Sequence, residues 1–299
     1  MDGETPRCPL CGHEKTKALF VKAGRTVALC PACRAGFVHP MPEMEELKEL
    51  YGRDYFHGGG AVGYTDYDAQ SGAGNEWTRY YLAERLDDLE RRRGGKRGRL
   101  LEAGCAFGCF LAMARERGWD VEGAEISAYA AREAEKRYGM RVHACPLEDA
   151  PLEEGTFDAV AAFEVIEHLP RPASFLGRVN RLLKDGGILV MTTPNDLFSL
   201  RAKLTRDKSS LVKLPEHLYF FSPLSLGRLV TGAGFEILSL YTFEAKMLRR
   251  GRAVVERRMG AAYRFLRPAV RPLWRFVTHH AGLGEAIYCA AVKPRTAGG

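Results

Sequence analysis

The chain has 299 residues, of which 46% are hydrophobic and 27% charged, an ordinary globular composition that excludes an intrinsically disordered or low-complexity protein. The formal charge of +7 is not spread evenly. Residues 246–280 hold ten of the 44 Lys and Arg and one of the 37 acids, leaving 34 basic against 36 acidic side chains elsewhere, which excludes a protein basic all over. The start, MDGETPRC, has no basic and then apolar leader, and no uncharged apolar run approaches the ~18 residues of a membrane span, so the expected location is cytoplasmic.

The first elements are two cysteine pairs, Cys8-Pro-Leu-Cys11 and Cys30-Pro-Ala-Cys33, with eighteen residues between them. Each C-x-x-C forms a knuckle that aims two thiolates at one ion, and the spacer is long enough for a β-hairpin that joins the knuckles. Residues 1–42 are therefore predicted to form a zinc ribbon, with Cys8, Cys11, Cys30 and Cys33 as structural ligands; a redox dithiol pair is the competing reading. His13 and His39 are expected to be surface residues.

Residues 43–98 read as a helical connector. Helical spacing runs over Glu43–Tyr51 and again over Glu76–Arg93, where Trp77, Tyr81, Leu82, Leu86 and Leu89 share one side. Between them lie Tyr51, Tyr55, Phe56, Tyr64 and Tyr67 among glycines, either a lid over a bound ligand or rings that pin the connector to its domain. Gly94-Gly95-Lys96-Arg97-Gly98 marks a boundary.

From Arg99 onward strands and helices alternate: a strand at Leu100-Leu101, a glycine turn, a helix over Phe110–Arg117 and a strand ending at Glu125. A helix capped by Ser127 and closed by Gly139 follows, then strands near 141–145, 157–163 and 187–193. Such alternation predicts an α/β, doubly wound, Rossmann-like parallel sheet with its ligand at the carboxyl ends of the strands. The turn at 102–109 does not fit a dinucleotide fingerprint, because Cys109 stands where Gly or Ala is required.

Glu102, Gly104, Ala106 and Gly108 instead resemble the first motif of the class I S-adenosylmethionine (SAM)-dependent methyltransferases, with Ala106 in place of a glycine. Further segments match in order: Glu125 with Ile126 beside it, Leu147-Glu148-Asp149, Gly155 to Val160, Phe163 to Leu169, Leu182 to Val190, Thr193-Pro194-Asn195, Glu216-His217-Leu218 and Gly234-Phe235. The resemblance spans 99–293. It implies a seven-stranded sheet and a SAM site in which Glu102 engages the cofactor's amino group, Gly104, Ala106 and Gly108 allow close backbone approach, and Glu125 holds the ribose. Leu147 lines the adenine, Glu148 or backbone groups read its exocyclic amine because Pro146 replaces an acid, and Ile126 and Phe163 complete the pocket.

By the same resemblance His168 and His217 are the candidate bases at the acceptor end, with Glu164 beside them. Glu164, Glu167 and His168 also resemble a cluster in quinone O-methyltransferases associated with a divalent cation, which makes Mg2+ a candidate there. The order of ribbon, connector and catalytic domain resembles a bacterial subgroup linked to cell-envelope or secondary-metabolite chemistry. The expected reaction is methyl transfer to oxygen or carbon of a small-molecule or saccharide acceptor, with a lipid-linked acceptor included. The alternatives are an RNA methyltransferase and a SAM-binding scaffold without turnover. Nucleic-acid base methylation is disfavoured, since Phe163-Glu164-Val165-Ile166 is not the N/D-P-P-Y/F segment of adenine methylation and Cys145-Pro146 reverses the P-C order of cytosine chemistry.

The domain 99–299 carries two insertions, 196–216 and 245–284. In the second, after a strand at Phe235–Phe243 and before one at Ala286–Val292, Val255, Met259, Tyr263, Leu266, Val270, Leu273 and Trp274 share a helical face opposite Arg257, Arg264, Arg267, Arg271 and Arg275, interrupted by Pro268 and Pro272. Three partners suit this face: an anionic membrane surface contacted peripherally through 246–280 at the inner face of the membrane, the substrate pocket itself as a helical cap, or an acidic ligand.

Overall fold

The computed structural model describes residues 6–58, 62–70, 72–205, 212–243, 276, 279 and 281–295. The arginine-rich face and its proline breaks lie outside the described residues, as do 206–211 of the first insertion. Contacts divide the chain into two compact units, one of residues 1–40, 192–229 and 239–289, the other of 41–191, 230–238 and 290–299.

The first unit contains the expected hairpin, β1 (Lys17–Lys22) and β2 (Arg25–Leu29). Lys22 pairs with Arg25 across a two-residue turn in which Ala23 and Gly24 have φ of 48° and 71°, the left-handed pair that matches strand twist in a tight hairpin. β3 (Gly36–His39) adds to β2, and the fourth strand comes from far along the chain: β9 (Tyr219–Phe220) pairs antiparallel with β3. A side chain at Gly36 would lie 2.6 Å from Leu197 Cδ1 and 3.0 Å from Phe220 Cβ, so the close approach of β9 requires glycine there. Side chains add to this pairing, since Ser222 Oγ donates to the Arg34 carbonyl at 2.8 Å and Lys22 Nζ to that of Val212 at 2.7 Å. The ribbon sheet is thus completed by residues of the catalytic sequence. A short helix, α8 (Leu200–Leu204), begins at the Ser199 cap in the same unit.

The second unit opens with α1 (Met44–Leu50), α2 (Arg53–His57), α3 (Tyr67–Gln70) and α4 (Glu76–Arg92), the last capped by Asn75 and burying Leu82, Leu86 and Leu89. β4 (Arg99–Ala103), α5 (Cys109–Glu116), β5 (Asp120–Ala124), α6 (Ala128–Tyr138) and β6 (Arg141–His143) alternate as expected. The chain then continues through β7 (Phe157–Phe163), a 3-10 turn at Ile166–His168, α7 (Pro172–Leu182), β8 (Leu183–Pro194), α9 (Pro223–Gly232), β10 (Glu236–Phe243) and β11 (Ala286–Val292), of which the stretches 192–229 and 239–289 fall in the first unit. The seven-stranded sheet has the order β10-β11-β8-β7-β4-β5-β6, with β4 parallel to both β5 and β7. The near-continuous apolar runs of β7 and β11 are those of strands covered on both faces. Chain order departs in opposite directions on the two sides of β4, so the loop after β4 opens the crevice where such sheets bind ligands.

Candidate active site

After Ala103 the chain must reverse into α5 within five residues. It does so through three left-handed positions: Gly104, Ala106 and Gly108, with φ of 70°, 44° and 78°. At Gly104 a Cβ would stand 2.5 Å from Val165 Cγ2, and at the helix cap Gly108 it would stand 3.1 Å from Met140 Sδ, so both glycines answer to space as well as conformation. Ala106 tolerates its conformation with a side chain, at a cost of about 1 kcal/mol. Its N–H donates to Glu125 Oε2 at 2.9 Å, a bond that holds the turn in place.

Glu125 follows β5 and also accepts from the Ser127 N–H, through Oε1 at 2.9 Å. A carboxylate has about four lone-pair sites, so these bonds leave it capacity for a ligand hydroxyl. Glu102, within β4, is 5% exposed, and its Oε2 is buried with no hydrogen-bond partner. Burial, reinforced by the nearby charge of Glu125, pushes the Glu102 carboxyl well above its ordinary pKa; Glu125 is also raised, mainly by burial. An orphaned carboxylate oxygen beside a glycine turn fits an incoming ammonium group, and two tethered oxygens at Glu125 fit ribose hydroxyls; the donor set therefore suits SAM. Phe163 packs edge-on against Phe110 at 4.9 Å, Leu147 is buried, Ile126 half-buried and Glu148 exposed.

The aromatic connector packs on this turn. Phe107, inside the turn and 2% exposed, meets Phe56 at 5.0 Å and Tyr67 at 4.9 Å between ring centroids. Burial raises the Tyr67 phenol well above its usual pKa, and the charges of Tyr64, Glu102 and Glu125 add to the shift. Arg137 of α6 lies 4.4 Å over the Phe107 ring and grips Asp68 of α3 through both carboxylate oxygens at 2.8 and 2.7 Å.

Among the candidate bases, His168 closes the 3-10 turn after β7, and its Nδ1 lies 2.9 Å from Tyr51 Oη. Glu167, 1% exposed, has Oε1 3.7 Å from His168 Nε2. Glu164 is exposed with a left-handed φ of 55°, and it is not grouped with Glu167 and His168 at ligating distance, so the expected cation triad is not assembled. His217 belongs to the first unit, where it is 4% exposed and its Nδ1 lies 3.0 Å from Asp196 Oδ2.

The four ribbon sulfurs lie within 4.8 Å of one another, with Cys8–Cys33 and Cys11–Cys30 each at 3.6 Å. Four sulfurs at ~2.3 Å from a tetrahedral zinc stand about 3.8 Å apart, so the set fits that ion. Hydrogen bonding from Cys33 draws the Cys8 thiol down to about 5.

A family model described as "Methyltransferase domain" matches residues 75–240. The chain belongs to this family. The methyltransferase is of the SAM-dependent class I kind expected from its motifs. It is 29% identical over 167 residues to a ubiquinone biosynthesis O-methyltransferase of Aromatoleum aromaticum, covering 52% of this chain and 71% of that protein. With the protein of the same name from Alkalilimnicola ehrlichii it shares 34% over 124 residues, 37% of this chain and 48% of the relative. In fold it is similar to Burkholderia thailandensis 1,6-didemethyltoxoflavin-N1-methyltransferase, at a TM-score of 0.53 and 16% identity over 93% of this chain and 99% of that one. It is also similar to Haemonchus contortus phosphoethanolamine N-methyltransferase 2, at 0.56 and 19% over 81% and 60%.

Three site features of the methyltransferase were not read from sequence: the Tyr51–His168 bond, the Asp196–His217 pair, and Phe107 as the ring that seats the connector. The first joins residues 117 apart, a distance over which no local pattern carries information. Phe107 had a usable signal, a large aromatic between the small residues of a glycine turn.

Proposed function

We propose that this methyltransferase transfers the methyl group of SAM to a hydroxyl oxygen of a small-molecule acceptor, with His168 as the base that draws off the acceptor's proton. The cofactor half of the reading is carried by one observation, the buried Glu102 oxygen that has no partner at the mouth of the glycine turn. The choice of oxygen is supported by the O-methyltransferase names of the relatives. When bound, SAM supplies a sulfonium-activated methyl group. The chain's own residues bind and orient: Glu102 meets the ammonium, Glu125 the ribose diol, and the clustered rings of Phe56, Tyr67 and Phe107 form a lid that excludes water from the turn. We assign the four cysteines to a structural zinc, which supplies folding free energy to a small sheet. Among the described residues no helix is long and apolar enough to cross a membrane.

Calorimetric titration with SAM and S-adenosylhomocysteine is the first test, followed by formation of S-adenosylhomocysteine in the presence of a bacterial small-molecule extract. Wild-type protein is expected to bind both, and Glu125→Ala to bind at least ~10-fold more weakly, since it loses the diol contact and frees the Ala106 N–H. Equal affinity in the variant would remove the ribose assignment, and no binding by the wild type would remove the cofactor reading. Product mass spectra showing methyl on nitrogen or carbon would overturn the choice of oxygen.

A further inference from the structure

The connector reaches beyond the glycine turn. Tyr51, at the end of α1, places Oη 2.9 Å from His168 Nδ1. On the other side of the same ring, Nε2 faces the Glu167 carboxylate at 3.7 Å, and that carboxylate is 1% exposed. At 3.7 Å the pair is an electrostatic contact and not a hydrogen bond, and the Nε2–H tautomer of His168, which points a proton at the buried carboxylate, is favoured over the tautomer that points a lone pair at it. The lone pair then resides on Nδ1, which makes the phenol the donor of the 2.9 Å bond.

We propose that Tyr51 Oη is the atom that takes the acceptor's proton, with His168 as the base behind it and Glu167 as the residue that positions the imidazole and fixes its tautomer. This rests on the reading of His168 as the base and refines which atom the acceptor meets. Contiguous rings join the phenol to the cofactor turn: Tyr51–Tyr55 at 4.9 Å, Tyr55–Tyr64 at 5.7 Å, Tyr64–Tyr67 at 5.0 Å and Tyr67–Phe107 at 4.9 Å. The segment that covers the cofactor turn therefore also carries the proton acceptor.

The step balances as follows. The acceptor oxygen forms a bond to the methyl carbon, and the carbon–sulfur bond breaks with its electron pair remaining on sulfur. The acceptor's proton passes to Tyr51 Oη while the phenol's own proton passes to His168 Nδ1. The imidazolium is stabilised by Glu167 and returns its proton to water, so Tyr51 ends neutral.

The test uses the full chain with S-adenosylhomocysteine, labelled with 15N-histidine, with His168→Gln used to assign the ring signals by NMR. The expected result is a His168 ring protonated at Nε2, with a hydrogen-bonded Nδ1 whose resonance moves in Tyr51→Phe. A ring protonated at Nδ1 reverses the polarity of the bond and overturns the proposal without any measurement of turnover. In the kinetic arm, with the same small-molecule extract, Tyr51→Phe is expected to lose about 100-fold in turnover with affinity for S-adenosylhomocysteine within twofold of wild type, and His168→Gln to lose at least as much. Full turnover in Tyr51→Phe with loss in His168→Gln overturns the role of Tyr51 and leaves the base in place. Full turnover in His168→Gln overturns both.

Discussion

The cysteine knuckles and the glycine turn are both tight reversals that gather electron-rich atoms at one point, yet they are held by different means. In each knuckle the first cysteine's carbonyl accepts from the residue four places on, Gly12 N to Cys8 O at 2.8 Å and Arg34 N to Cys30 O at 2.9 Å, and those two residues share left-handed φ of 72° and 59°. Behind them stands a small sheet with few large buried side chains, Val27, Phe37, Val38 and Tyr219 among them. The glycine turn is backed by Leu100, Leu101, Phe110, Leu111 and Phe157, all nearly inaccessible, and by the Glu125 bond to its own backbone. On the proposed zinc assignment the first reversal draws its stability from a metal, whereas the second is backed by a core of its own.

The largest effect that tests this contrast is at the metal. Chelation of zinc, or Cys30→Ser, is expected to remove on the order of 10 kcal/mol from the ribbon. Hydrogen exchange then shows loss of protection in β1 to β3 and in β9, which pairs with β3, while β4 and β5 stay protected. Equal loss in β4 and β5 would mean that the two regions share one source of stability.

Next in size is Glu102→Gln. The folded pKa of Glu102 lies above its ordinary 4.5, so between these values the folded state binds more protons than the unfolded, and the stability of the ligand-free protein falls as pH rises from about 4.5 toward the folded pKa. The ionised form is the one that meets an ammonium, so SAM affinity rises over the same range. Glu102→Gln is expected to flatten the fall in thermal midpoint as pH rises above about 4.5 and to weaken SAM binding by about 2 kcal/mol, or ~30-fold. An unchanged pH slope would show that another group titrates.

The smallest effects are at the turn's backbone and have opposite signs. Gly104→Ala meets Val165 Cγ2 at 2.5 Å in a left-handed conformation and is expected to cost about 2 kcal/mol, whereas Ala106→Gly relieves its φ of 44° and is expected to stabilise by up to about 1 kcal/mol. Denaturant midpoints of the two variants measure both signs in one assay.

What the sequence makes legible is local. Ser127 and Gly139 bracket α6 as read, because a cap and a left-handed stop act over four residues; β7 and β11 fall at 157–163 and 286–292 for the same kind of reason, an apolar run bounded by turns. Glu102 and Glu125 were singled out by the resemblance to the methyltransferase motifs, and they fall within β4 and just after β5. The expected cation triad gains no support, and the backbone says why: Glu164 and Glu167 are three residues apart in sequence, but one takes a left-handed backbone at the surface and the other is buried in the next turn.

The sequence by itself named the two candidate ligand sets, four thiolates and two carboxylates around a glycine turn, because each set is written within short windows. Only the tertiary structure decided what completes them. β9 extends the ribbon sheet, the connector's rings settle on Phe107, and Tyr51 meets His168. These pairings join residues up to about 180 positions apart, and they depend on which surfaces the folded chain leaves close enough to bury together.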